Sequence, residues 1–209
     1  MIEISDDLYK MHLLPLINAI DKDFIYCIIL STVSALFCSL IPHLQYRYKI
    51  LSKITSDDYG KAADFLAFTL IHIGTLRIYS FIECVYLNDS LNLDFYSTIL
   101  LRILGIVLIL MGAVLVVNSF HKLGLRGMYF GDHFGFLFEE RINTFPYNYF
   151  ENPQHTGSLM CHLGFSLVFR STHGLILTLY ICLCNKFVFL FYEKNKLKVF
   201  YPENDKKTE

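Results

Sequence analysis

Residues 158–192, SLMCHLGFSLVFRSTHGLILTLYICLCNKFVFLFY, form an apolar run broken near its middle by Arg170-Ser171-Thr172-His173-Gly174. How this run is read decides the fold. As one helix rising about 1.5 Å per residue it would reach about 50 Å, against a hydrocarbon core of about 30 Å. The polar break turns it instead into a helical hairpin, Ser158 to Phe169 inward and Leu175 to Tyr192 back. The first arm is short for a full crossing and fits a re-entrant helix packed against protein.

Three further apolar stretches precede the hairpin. Phe24 to Ile41 ends at Pro42, Ala62 to Ile82 contains Asp64 and Arg77, and Ser97 to Val117 contains Arg102. Arg102 can snorkel to the interface, and Arg77 lies near enough to the end of its span to do the same. Of the 209 residues, 54% are hydrophobic and only 18% are charged, below the roughly 25% of soluble domains. The mean hydropathy is +0.43. The predicted fold is therefore all-α: one membrane domain over residues 1–209, a polytopic bundle of four to five spans ending in a hairpin. The acidic start, Glu3, Asp6 and Asp7, is unlike a cleaved secretory leader.

Basic residues set the expected orientation. Arg47, Lys49, Lys53 and Lys61 follow the first span, and Lys122, Arg126 and Arg141 follow the third. Lys194, Lys196, Lys198, Lys206 and Lys207 lie in the tail, while the loop between spans two and three has no Lys or Arg. The first loop, the region after span three and the tail are thus expected in the cytosol. The last two share a side only if residues 158–192 cross twice or not at all. A net charge of −1 gives no nucleic-acid footprint. The six cysteines have no ligand-spaced His partners, read as small apolar residues and predict no metal site.

Between span three and the hairpin lies a polar, glycine-punctuated block. It carries Asp132, His133, Glu139, Glu140, Arg141, Asn152 and His155. Asn152-Pro153 stops helix before it and starts helix after it. Gly157 and Ser158 sit where that helix opens, and backbone N–H groups at a helix start attract anions such as a carboxylate. The same residues also fit an ordinary proline-started helix. Glu193, closing the last apolar stretch, is either a solvated interface carboxylate or a holder of a cosubstrate amine or ribose hydroxyl. Asp132, His133 and Glu140 are candidates to accept a proton. His12, His43 and His162 read as structural, whereas His72 and Arg77 could face a polar cavity. Gly105 and Gly112 share one helical face, for close helix packing or as room for a flat ring beside Gly112.

Taken in order, several groups of residues resemble one family. They are Asn118-Ser119-Phe120, Leu123-Gly124-Leu125-Arg126-Gly127, Gly131-Asp132-His133-Phe134-Gly135, Phe145-Pro146-Tyr147-Asn148, Asn152-Pro153, Gly157-Ser158, Leu163-Gly164, Gly174-Leu175 and Tyr192-Glu193. The pattern is similar to the phosphatidylethanolamine N-methyltransferases, the class II phospholipid methyltransferases, and is most specific from Val114 to Glu193. The resemblance implies an endoplasmic reticulum membrane enzyme, also compatible with mitochondria-associated membrane. It implies S-adenosylmethionine as cosubstrate and phosphatidylethanolamine and its mono- and dimethyl forms as acceptors.

The family's Gly-x-Gly on the third span falls on Leu110-Met111-Gly112, and its Glu-Glu after the last span on Glu193-Lys194. Leu110 and Lys194 depart from that pattern, as does His155, which stands where the family has Tyr. The resemblance implies that Leu110-Met111-Gly112 and Glu193-Lys194 meet the cosubstrate, and Asn152, His155, Gly157 and Glu193 are expected to hold it, with Gly112 against it. Three other readings compete. The first is a related membrane methyltransferase of the isoprenylcysteine carboxyl type. The second is a lipid-binding protein with impaired catalysis, favoured by Leu110 and Lys194. The third, a transporter, lacks visible repeats.

Overall fold

The structure, a computed structural model, describes residues 22–88, 91, 93–138 and 142–188. Glu140, Glu193 and Lys194 of the expected site lie outside the described residues, as does Glu139. The described elements are helical: α1 (Lys22–Tyr48), α2 (Ile50–Ile54), α3 (Tyr59–Leu87), α4 (Phe95–Met128), a 3-10 turn (Gly131–Phe134), α5 (Pro153–Val168) and α6 (Thr172–Val188). Among the described residues three helices are long and apolar enough to cross a membrane: α1, α3 and α4 with the following turn. α6 is a shorter apolar helix. This is the expected bundle of membrane helices.

The hairpin forms for local reasons. Arg170 takes a left-handed backbone, φ 53°, immediately after α5. Its N–H donates to Leu167 O and the Ser171 N–H to Ser166 O, so the last carbonyls of α5 are satisfied. Ser171 then starts α6, its Oγ accepting from the Gly174 N–H at 3.1 Å. The arms run antiparallel, with the Ser166 and Thr178 hydroxyls 3.2 Å apart. α6 therefore returns to the end of the bundle where α5 begins. That arrangement is the helical hairpin expected of this stretch, described through Val188.

Two boundaries differ from the sequence expectation. α1 runs through Pro42 to Tyr48 instead of stopping. Proline inside a membrane helix is tolerated because neighbouring groups satisfy the freed carbonyl. α3 continues to Leu87, leaving Arg77 ten residues, about 15 Å, from its end. Arg77 therefore lies well inside the helix and not close to its end. The starts of α3 and α4 are legible, since Asp58 and Asp94 cap them by accepting from the N–H groups of Lys61 and Ser97. The Lys61 backbone N–H holds the Asp58 carboxyl below its usual range, and hydrogen bonding by Ser97 does the same for Asp94.

One end of the bundle gathers the polar block. At Gly124, φ 65° and ψ −177°, the path of α4 kinks, as only glycine does without strain. Beyond the kink, Arg126 pairs bidentately with Asp64 of α3 at 2.7 and 2.8 Å. Its guanidinium also lies 4.4 Å from the Phe136 ring centroid. Phe134, in the 3-10 turn, is buried among Ala62, Ala63, Leu66 and Leu70 of α3. At the opposite end the Leu91 N–H donates to Arg170 O, tying the α3–α4 connection to the hairpin turn. Because the Asp64–Arg126 pair is more than a third exposed on both sides, Asp64→Asn should lower the midpoint of thermal unfolding only slightly. The difference from wild type should shrink as salt is raised, and a salt series of melts checks both points.

Candidate functional site

α4 and α5 meet backbone to backbone. A Cβ on Gly157 would lie 2.5 Å from Gly112 O, and one on Gly105 or Gly164 would lie 2.6 Å from the other's carbonyl oxygen. Gly105 and Gly112 on α4, and Gly157 and Gly164 on α5, are each seven residues apart, so one stripe of α4 faces one stripe of α5. The room expected for a flat ring beside Gly112 is thus filled by Gly157 and Cys161. Leu110 and Met111 are 62% and 54% exposed on the outer face of α4. The packing reading of this stripe is the one the backbone supports.

That start is built from the polar block. Asn152 precedes Pro153, which occupies the first turn, and the Asn152 side chain does not cap the helix. Its carbonyl accepts from the Thr156 N–H at 3.0 Å. Asn152, Gln154 and His155 are half-buried, and Gly157 is buried. Tyr147, which the sequence reading quoted without a role, ties this turn down. Its hydroxyl donates to Gln154 Oε1 at 3.3 Å and interacts with Ser119 of α4. Burial raises the Tyr147 phenol above its ordinary value, with Ser119 offsetting part, so it remains a donor at neutral pH.

The 3-10 turn holds Asp132 and His133 together. His133 Nδ1 lies 3.0 Å from Asp132 Oδ1, with the imidazole 11% and the carboxylate 20% exposed. The carboxylate takes the proton-bearing Nδ1, which leaves Nε2 as the basic nitrogen. The ring is further fixed edge-on by Tyr46 and Phe130, at centroid distances of 6.1 and 5.7 Å. This turn packs on α1, α3 and α4. Asp132 and His133 are thus paired, and Asn152, His155 and Gly157 share one helix start. Both groups lie at the polar end of the bundle. The Asp64–Arg126 pair there was not anticipated, although two lone opposite charges in apolar helices are a readable signal for an ion pair.

Beside the α5 start, on the flank of the hairpin, runs an apolar groove of about 420 Å³. Thr156, Met160 and Leu163 line one wall and Leu175, Leu179 and Cys182 the other.

The bundle and its polar end define a polytopic helical membrane protein with one chemically equipped face. Comparison with known proteins carries this further. The family model described as phospholipid methyltransferase matches residues 100–204. A phosphatidyl-N-methylethanolamine N-methyltransferase of Schizosaccharomyces pombe is 30% identical over 190 residues, 90% of this chain and 94% of that protein. A phosphatidylethanolamine N-methyltransferase of Homo sapiens is 30% identical over 182 residues, 87% of this chain and 89% of that protein. A phosphatidyl-N-methylethanolamine N-methyltransferase of Saccharomyces cerevisiae is 28% identical, covering 91% of this chain and 92% of that protein. No solved structure matches. The chain belongs to the phospholipid methyltransferase family.

Proposed function

We propose that this protein N-methylates phosphatidylethanolamine and its mono- and dimethyl derivatives toward phosphatidylcholine, with S-adenosylmethionine as methyl donor. It would act at the cytosolic face of the endoplasmic reticulum membrane. The observation that carries the reading is that one end of an apolar bundle of this family holds both an Asp-oriented imidazole and the Asn152-Pro153 helix start. The Asn152 side chain does not cap α5, and a proline-started helix end of this kind fits a carboxylate ligand.

Bound there, S-adenosylmethionine would supply a methyl group activated by its sulfonium. Asn152 and His155 would hold its polar end, Gly157 and Gly112 would fix the helix start, and Glu193 would take an amine or ribose hydroxyl. The acceptor amine is mostly protonated at neutral pH and must be neutral to act as a nucleophile. His133 Nε2 accepts that proton, and Asp132 stabilises the imidazolium that forms. Glu140 is the alternative acceptor. The low-dielectric surroundings also favour the neutral amine. Holding amine and donor in line supplies much of the remaining acceleration. The apolar groove beside Thr156 supports sideways entry of the lipid, its chains remaining in the bilayer.

Glu193→Ala should raise the KM for S-adenosylmethionine at least tenfold while leaving the KM for lipid within about twofold. Steady-state kinetics with each substrate varied in turn checks this, and an unaltered KM for the donor removes Glu193 from the site.

A further inference from the structure

Away from the polar end, Arg77 and His162 each carry a buried nitrogen with no hydrogen-bond partner among the described residues. Arg77 Nε is buried in α3 without a hydrogen-bond partner. Among the described residues the Arg77 guanidinium forms no ion pair. His162, on α5, is 3% exposed, and its Nε2 is likewise buried and unpartnered. Its Nδ1 lies 2.6 Å from Ser158 O, so Nδ1 bears the proton and Nε2 is a bare acceptor.

The two groups are neighbours. His162 packs edge-on against Phe81 at 4.6 Å between centroids. Phe81 lies one turn beyond Arg77 on the same face of α3. Arg77 acts electrostatically on His162, and around it stand Cys27 and Cys38 of α1 and Cys184 of α6, with no carboxylate among these neighbours. Helical side chains lean toward the N-terminus of their helix. α3 and α5 both begin at the polar end, so Arg77 and His162 both lean toward the Asn152 turn.

A half-buried cation with no counter-ion among the described residues is costly inside a membrane bundle and is retained where a ligand uses it. The neighbouring lone pair excludes a simple anion as a complete fit, since an anion satisfies Arg77 and repels His162 Nε2. A ligand end carrying an oxyanion and an N–H donor a few bonds apart satisfies both.

We propose that Arg77 and His162 form an internal binding site for the zwitterionic end of a substrate, apart from the transfer site at the polar end. Its oxyanion would sit on the guanidinium, and its ammonium N–H would donate to His162 Nε2. The inference rests on the methyl-transfer reading, which supplies two ligands of this chemistry. One is the phosphoethanolamine head of the lipid, and the other is the amino-acid end of S-adenosylmethionine. The lipid head is the expected occupant, because Arg77 belongs to a helix long and apolar enough to cross the membrane and His162 to the apolar hairpin packed beside it.

The test uses the full chain in non-ionic detergent. Unfolding is followed by far-UV circular dichroism, since the chain has no Trp. Arg77→Met removes the charge and keeps an apolar side chain. Ligand-free Arg77→Met should melt at or above the wild-type temperature, because an unpaired buried charge has been removed. A residue whose role is a structural ion pair would instead lower it. Binding of dihexanoyl phosphatidylethanolamine should weaken at least tenfold, with S-adenosylmethionine binding kept within about twofold. Arg77→Lys should recover part of the loss. His162→Phe, which preserves the ring against Phe81, should weaken the same ligand several-fold.

The converse pattern, loss of S-adenosylmethionine binding alone, keeps the site and assigns it to the donor's carboxylate. Equal loss of both ligands marks a general disturbance and overturns the site. So does wild-type-like binding of both by Arg77→Met, or failure of the folded wild type to bind either. Methyl transfer measured on the same preparations separates the two readings. A wild type that binds lipid through Arg77 without transferring methyl sinks the activity alone. An active wild type with Arg77→Met binding as tightly sinks the Arg77 site alone.

Discussion

Gly157→Ala is expected to be among the most damaging single substitutions in the chain. The added methyl would lie 2.5 Å from Gly112 O, 2.9 Å from Leu115 Cβ and 3.0 Å from Val116 Cγ2. The first neighbour is backbone, so the clash is relieved only by moving α5 away from α4 along a stripe that includes Gly105 and Gly164. Overpacking of this kind costs roughly 1–3 kcal/mol or more, about 2–12 °C in melting temperature for a chain of this size. The displaced helix start also carries Asn152 and His155, so methyl transfer should fall more than stability does. Gly74→Ala is the matched control. It lies inside α3 with nothing within 4 Å of the new methyl, and should be neutral or stabilising by up to about 1 kcal/mol. Thermal melts of both variants in one detergent check the contrast. Equal melting temperatures for Gly157→Ala and wild type would contradict the helix contact itself.

His133→Ala should lower kcat for methyl transfer by roughly 10²-fold or more, the usual contribution of a positioned general base. Its KM values should change little, because the imidazole faces Asp132 and two aromatic rings and is not assigned to hold either substrate. Asp132→Asn should have a smaller effect in the same direction, since it removes the acceptor that fixes the tautomer and leaves the ring in place. Loss of the pH dependence of kcat in His133→Ala distinguishes a base from a residue that only shapes the turn. A kcat unaltered across the pH range assigns proton removal to Glu140 or to solvent.

Much of the fold is legible in the sequence because membrane helices follow from a few physical constraints. Span length, basic-residue bias and the break at Arg170 are enough to derive the hairpin. The structure adds the left-handed Arg170 and the Ser171 cap that close it. The end of α1 was misplaced at Pro42 because proline stops helices in water more strictly than in a bundle. At the site, Asp132 beside His133 and the Asn152-Pro153 helix start are local features, and local features survive reading from sequence. Gly112 was ambiguous because a glycine stripe serves a ring or a neighbouring helix equally well until the partner helix is known. Pairings distant in sequence, Arg126 with Asp64 and Arg77 beside His162, depend on which helix faces which. His162 read as structural for the same reason. Its Nδ1 contact is a local one within α5, whereas the unpartnered Nε2 emerges only with α3 packed against it.

The central claim is best tested in membranes from a host lacking phospholipid methylation, expressing this chain and supplied with labelled S-adenosylmethionine. The account predicts label in mono-, di- and trimethylated phosphatidylethanolamine, with the distribution revealing which steps the protein performs. Folded protein in those membranes with no label in any phospholipid would contradict it.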